Sequence, residues 1–566
     1  MQTGLNFADW AVFAIYFVIV ASYGFWIYNQ KRKEAADTKD YFLAEGSLTW
    51  WAIGASLIAS NISAEQFIGM SGNGFSVGIA VAAYEWIAAI ALIIIAVFFM
   101  PIYLKNRIFT MPQFLKTRYN STVSLTMAIF WLFLYVLVNL TSILYLGALA
   151  IDNLVGGGYF HVILVLLAFF ALIITLGGMK VIGYTDVIQV LVLIVGGLAT
   201  TYMALTMVSE KFGMGKDVMA GFNQLVLKAD DHFHMILAKP DANASQAYIN
   251  KYLMLPGIAM YFAGQWIVNL NYWGCNQYIT QRALGADLKT ARTGILFAGL
   301  LKLMMPIIVM LPGIAAYVLY QNGELQAGMT AGGQFNSDNA YSSILAFLPN
   351  GLKGLALAAL TAAIVASLAG KANSISTIFT LDLYKDYIKK DATEKQLVRV
   401  GRITIVLAMI FAVLLTWDDS LGIGGEGGFN FIQKYTGFIS PGVFAMFMLG
   451  FFWKRTTGTA GIVGLLVGFI LSVFFNEAAP SVLGNETFLY TAFPNGKGSY
   501  EIPFLICMGL AFGFAVLAMV LVSSLGPKED KNAFEIDASM FKLDGRTTAL
   551  IAITLLLLSA IYVRFW

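Results

Sequence analysis

Residues 60–66 read Ser-Asn-Ile-Ser-Ala-Glu-Gln in the middle of a stretch that is otherwise largely apolar. Comparable polar groups recur in other apolar stretches: Tyr84 and Glu85, then Asn269, Asn271 and Tyr272, then Lys302, then Ser367, Lys371 and Asn373, then Gln433, Lys434 and Tyr435. A carboxylate or ammonium in hydrocarbon costs several kcal/mol when unpaired, so such groups face a bundle interior or a wet cavity. Taken singly, each has a structural explanation. Ser and Thr in membrane helices mostly bond the carbonyl one turn back or a neighbouring helix. Lys371 and Lys434 are long enough to snorkel, and Glu85 and Lys302 suit a structural ion pair. Taken together, carboxylate, amide, ammonium and phenol at similar depth exceed what a packed core needs. They offer directional donors and acceptors to a polar solute, and oxygens to a cation. Catalysis is set aside: no nucleophile–base arrangement is read here, and no H-E-x-x-H metal triad occurs.

Composition fixes the setting. Of the 566 residues, 59% are apolar and 12% charged, and the mean hydropathy is +0.74. A soluble domain runs at about 45–50% apolar and about 25% charged. Disorder is excluded for the same reason. The net charge is +3, with no basic block to follow a nucleic acid. Two cysteines, Cys275 and Cys507, give no disulfide framework, and three histidines give no structural zinc site. The N-terminal apolar stretch lacks a basic flank before it, so it is expected to stay as a span rather than be cleaved. The class is an all-α polytopic membrane protein in contact with lipid.

About fourteen stretches are long and apolar enough to be read as spans, at about 20 residues each. They lie near 9–28, 50–72, 77–104, 121–151, 160–177, 182–207, 254–275, 291–320, 352–386, 400–417, 429–453, 459–476, 502–525 and 547–565. Lys and Arg cluster in alternate loops: Lys31–Lys33, Lys105–Arg118, Lys385–Arg402, Lys454–Arg455 and Lys528–Arg546. That side is cytoplasmic, which leaves both termini outside and a cell-membrane location. The loop after the sixth span is expected to hold a short surface helix.

The second and seventh spans are both interrupted by polar residues and stand five spans apart. Interrupted helices at matching positions mark a carrier built from inverted repeats, with solute and ion bound near the midplane at unwound backbone. The organisation expected is an extra helix and loop (1–49), a first repeat (50–208), an outer loop (209–253), a second repeat (254–453) and added helices (454–566). The central expectation is that two unwound stretches, one bearing Gln66 and one bearing Asn269, face each other across a shared wet pocket.

Several segments carry a family likeness. Gly54–Gly72, Tyr84-Glu85-Trp86, Gly183–Gln189, Gln277–Arg282, Asn373–Tyr384 and Phe451–Arg455 resemble, in order and spacing, the sodium/solute symporter family and its sodium–glucose/galactose branch. The likeness runs over nearly the whole chain. It implies a five-plus-five inverted-repeat core of the leucine-transporter type and sodium-driven import of a hexose resembling galactose or glucose.

The resemblance also implies roles for individual residues. Gln66, Glu85, Asn269, Tyr272, Lys302 and Gln433 match sugar contacts, Tyr272 also closing the inner side. Ala88 stands where the galactose carrier of the branch has a serine, so one hydroxyl contact is missing. Met70, Tyr84 and Phe429 match outer-gate residues. For sodium, the carbonyls of Ala59, Ile62 and Ala363 and the hydroxyl of Ser367 match the ion's ligands, while Ala366 replaces a second serine. Asp186 matches an acidic residue on the inward ion path. Lys371 stands one turn beyond Ser367, where an apolar residue is usual. Pairing with Asp186 is expected to offset its charge. Ala366 and Lys371 define the alternatives to sodium coupling, a proton-coupled or uncoupled sugar carrier. A sugar sensor without net transport is a further alternative. Oligomeric state is not read from the sequence.

Overall fold

A computed structural model of the chain describes residues 5–31, 38–44, 48–330, 335–421, 433 and 436–566. Phe429, Lys434 and Tyr435 lie outside the described residues, so the gate role expected of Phe429 has no structural counterpart here. The described strands are one short pair, Phe493–Pro494 with Tyr500–Glu501. Nearly all the rest of the ordered secondary structure is helical.

Each apolar stretch carries helix in its described part. Among the described residues, ten helices are long and apolar enough by themselves to cross a membrane, and eleven if one bent pair is taken as a single span. That pair is Gln246–Phe262 with Gly264–Cys275, bent by 82°. Shorter helices, Phe160–Leu176 and Ser440–Phe452, and a broken segment over 50–76 cover the other stretches. Helix length therefore does not establish fourteen spans. The stretch that follows Met179–Lys211 contains the helix Val218–Lys228, started by the Asp217 carboxylate, which accepts the N–H groups of Met219 and Ala220.

Two discontinuities matter most. The helix Trp50–Asn61 stops where Ile62 turns extended (φ −81°, ψ 120°), and the chain restarts as a π-helical turn, Glu65–Met70. Such widened turns concentrate at functional positions. The helix Gly264–Cys275 stops where Asn276 turns extended (φ −94°, ψ 130°), and Gln277–Leu284 follows. The first break coincides with the polar cluster. The second lies beyond the polar run at 269–273, which is regular helix.

The described chain divides into two compact units. The first comprises 1–82, 128–233 and 281–432, and the second 83–127, 234–280 and 433–566. In the first, the long helix Leu352–Thr377 is buried from Ala356 onward and packs on Met179–Lys211, Phe160–Leu176 and Phe7–Lys31. The helices Trp50–Asn61 and Leu288–Gln321 meet at paired glycines. A methyl added at Gly54 would lie 2.7 Å from the Gly294 carbonyl oxygen, and one at Gly294 would lie 2.8 Å from that of Trp50. Small residues are what allow membrane helices this closeness. In the second unit, Gly264–Cys275 packs on Ala83–Ile94, Ser440–Phe452 and Phe504–Ser524. There Arg118 donates to the carbonyls of Gly450, Trp453 and Thr456 at 2.7–3.0 Å, closing the C-terminal end of Ser440–Phe452.

Candidate functional site

In the first unit, the restart after Ile62 is held by its own side chains. Gln66 Oε1 accepts the Ser63 N–H at 2.9 Å, and the Ser63 hydroxyl accepts the Glu65 N–H at 3.3 Å. This is the reciprocal logic of a capping box, encoded by the spacing Ser-x-x-Gln. Gln66 is thus a structural element of the break as well as a candidate solute contact. On the other side of the break, Lys302 donates to Asn61 Oδ1. Asn61, to which the sequence reading gave no role, thereby joins the Leu288–Gln321 helix to the end of the broken one.

At the end of Trp50–Asn61 the Ile58 carbonyl accepts the Ile62 N–H at 2.9 Å, and the carbonyls that follow carry the negative end of the helix dipole. Ala59 and Ile62 lie in this turn, both buried. Ser367 reaches it from Leu352–Thr377, its hydroxyl donating to the Ser60 carbonyl at 3.2 Å. Ala363, also buried, lies one turn before Ser367 on the same helix. Oxygen donors of this kind suit a small monovalent cation. Lys371 enters the same place: its ammonium donates to Ser367 Oγ at 3.0 Å.

Asp186 is not paired with Lys371 as expected. It accepts the Ser56 hydroxyl at 2.5 Å and lies 3.7 Å from Arg282 Nη2. Arg282 in turn donates through Nε to the Ser56 carbonyl at 3.0 Å and hydroxyl at 2.8 Å. The opposite charge in electrostatic reach of Lys371 is Glu65. A methyl added at Gly370 would lie 2.5 Å from Arg282 Nη2 and 3.0 Å from Ser60 Oγ, so Gly370 leaves room for the guanidinium. Neighbouring Gln281 binds Thr377 and Ser374 at 2.9 and 3.0 Å. Gln281 and Arg282 belong to the family-like segment Gln277–Arg282, and the sequence alone gives them no role. An arginine bordering apolar spans was the signal available.

In the second unit, Asn269 lies on the unbroken helix Gly264–Cys275 and donates to the Gln265 carbonyl at 3.0 Å. Asn271 donates to Ser440 Oγ at 3.1 Å. The ring of Tyr272 meets those of Trp273 and Tyr278 edge-on, at 5.2 and 5.6 Å between centroids. The break itself is closed by Asn276, whose amide donates to the Tyr272 carbonyl at 3.3 Å. Tyr84, Glu85 and Ala88 are buried on the helix Ala83–Ile94, and Gln433 is half-buried. Met70 is buried in the first unit.

One motif passed over in the sequence is Gly74-Phe-Ser-Val-Gly78, which has the letters of a hydrolase nucleophile elbow. Ser76 here ends the helix Ser71–Ser76 and donates to the Gly72 carbonyl at 3.0 Å. An elbow instead presents its serine on a strand-to-helix turn, so the match is in letters alone.

A helix broken at a polar cluster and embedded in an apolar bundle is the mark of a membrane carrier, and the fold is of the leucine-transporter type. The model of the sodium:solute symporter family matches residues 41–468, and the chain belongs to that family. It is 42% identical, over its full length and 99% of the relative's, to a sodium/glucose cotransporter of Vibrio parahaemolyticus. It is 33% identical to sodium/myo-inositol cotransporter 2 of Sus scrofa, over 83% of this chain and 70% of that one. Among solved structures, a Na+-coupled sialic acid symporter in a substrate-bound outward-open state superposes with a TM-score of 0.75. The identity there is 23%, over 93% of this chain and 99% of that one.

Proposed function

We propose that this carrier imports a hexose resembling glucose or galactose, together with sodium, by alternating access across the cell membrane. The observation that carries the reading is the full-length 42% identity to a sodium/glucose cotransporter. The Ser367–Ser60 contact at the broken helix supports it from the structure. Solute-contact roles are proposed residue by residue for Gln66, Glu85, Ala88, Asn269, Tyr272, Lys302 and Gln433, and gate roles for Met70, Tyr84, Phe429 and Tyr272. For sodium the proposed ligands are the carbonyls of Ala59, Ile62 and Ala363 and the Ser367 hydroxyl, with Asp186 on the ion's inward route. Residues 50–208 and 254–453 are proposed as the inverted repeats, with both termini extracytoplasmic.

The physical requirements fit. A hexose has many hydroxyls and no charge, so amides and a carboxylate give it direction and an aromatic ring covers its C–H face. Sodium bound between the end of Trp50–Asn61 and Ser367 ties two helices of the first unit. If that arrangement also favours solute binding, ion and solute bind with positive coupling. One sodium crossing about 100 mV releases about 2.3 kcal/mol. A tenfold concentration ratio adds about 1.4 kcal/mol, which together sustain roughly a few-hundredfold accumulation.

Uptake of a panel of radiolabelled solutes into proteoliposomes tests the reading: glucose, galactose, myo-inositol and sialic acid, each with and without sodium. Sodium-dependent uptake of a hexose above the others is expected. Hexose uptake indifferent to sodium would point to the proton-coupled or uncoupled carrier. Hexose-gated current without accumulation would point to a sensor.

A further inference from the structure

The buried ammonium of Lys371 has no place in the sugar and sodium scheme so far, yet it stands at one of the ion's proposed ligands, the Ser367 hydroxyl. It is 3% exposed, and it donates at 3.0 Å to the hydroxyl that is itself bound, at 3.2 Å, to the Ser60 carbonyl. Lys371 and Ser367 lie four residues apart on one helix, so the ammonium reaches the hydroxyl within a single turn and needs no rearrangement. Beside Ser367 stands Ala366, a methyl that offers a cation nothing. The charged groups in electrostatic reach are Glu65, on the restart of the broken helix, and Arg282.

We infer that Lys371 is a tethered cation that occupies the coupling ion's place in the ion-free carrier, so that sodium binds only by displacing its ammonium from Ser367. The inference rests on the proposed sodium ligands and adds a specificity-determining residue to them. Three features support it. A monovalent ammonium satisfies the same negative helix end that a sodium ion would. Two unit charges about 4 Å apart repel by several kcal/mol even at an effective dielectric near 20, so both do not remain there together. Glu65 gives the displaced ammonium an opposite charge to turn toward, on the very segment that follows the break. Lys371 thereby lowers sodium affinity while keeping the broken helix tied to Leu352–Thr377 when no ion is bound.

The test is direct binding of 22Na+ to the purified full-length protein in detergent by scintillation proximity. Lys371→Met and Lys371→Gln remove the charge, the second keeping a hydrogen-bonding head. Both are expected to bind sodium at least tenfold more tightly than the wild type. Glu65→Gln combined with Lys371→Met separates loss of the competitor from exposure of the Glu65 carboxylate, and at least a fivefold gain is expected to persist. A gain that vanishes in this double variant, or neutral variants that bind sodium no better than the wild type, would overturn the inference. Ser367→Ala serves as the reference for the ion site itself and is expected to weaken binding at least tenfold. If Ser367→Ala has no effect, the proposed ligands are wrong. If it weakens binding while the Lys371 variants change nothing, the ligands stand and the tethered cation alone falls.

Discussion

Arg282 lies 3.7 Å from Asp186, and the two share Ser56: the guanidinium donates to its hydroxyl and carbonyl while the carboxylate accepts its proton. Both charged side chains are almost fully buried. A buried pair adds little net stability, but removing one partner leaves the other uncompensated, at a cost of about 3–5 kcal/mol. Asp186→Leu and Arg282→Met are each expected to lower the melting temperature of the purified carrier strongly. The double variant should recover most of the loss. Additive losses would show that the two charges are not partners.

Gln66 has two tasks that substitution can separate. Glutamate at the same position keeps an oxygen for the Ser63 N–H, since Glu and Gln serve equally in this motif. Gln66→Glu is expected to melt near the wild type but to transport hexose poorly, because a neutral amide becomes an anion. Gln66→Ala should lose transport and also about 1 kcal/mol of stability with the cap. Thermal shift and uptake, measured on both variants, check the separation.

The Gly54–Gly294 crossing predicts a purely structural effect. Alanine at either position puts a methyl at 2.7–2.8 Å from a carbonyl oxygen of the facing helix, and backbone cannot step aside as a side chain can. Overpacking of this kind costs about 1–3 kcal/mol. Gly54→Ala and Gly294→Ala should each lower thermal stability by that order. Gly513→Ala, with nothing within 4 Å of the added methyl, should leave it unchanged.

Stability should also respond to pH at Asp338, which lies outside the spanning segments in the turn Ser337–Asn339. It packs against Gly72, and burial pushes its carboxyl up to about 6. An acid whose folded pKa is raised disfavours the fold when ionised. The penalty is present at pH 7 and is relieved as pH falls through about 6 toward the unfolded value near 4. The full effect is at most about 3 kcal/mol. Asp338→Asn should be more stable than the wild type at pH 7 and should flatten the pH dependence between 7 and 4. Equal slopes for the two proteins would contradict this account.

Much of this arrangement is legible in the sequence because hydrocarbon is an unforgiving solvent. Stretches such as 182–207 and 291–320 have to be helices, and a cluster like Ser60–Gln66 has to interrupt one. The second break is less legible. Asn269 and Asn271 look like interruptions but satisfy their amides on Gln265 and Ser440, so the helix continues to Cys275 and opens only at Asn276. Partner choice is legible least of all. Lys371 and Arg282 are both plausible mates for Asp186 in one dimension. Only the packing of residues 281–284 in the first unit brings the guanidinium to Ser56 and leaves Lys371 beside Ser367.

The central claim is that sodium entry drives hexose import, and gradient-driven accumulation tests it most directly. Proteoliposomes containing the full-length carrier would be given labelled glucose or galactose under an inward sodium gradient with a negative-inside potassium diffusion potential. Choline would then replace sodium at the same potential. The account predicts transient accumulation of the hexose well above its outside concentration with sodium, and no concentrative uptake with choline. Equal accumulation in the two conditions, or none in either from protein that still binds the sugar, would contradict it.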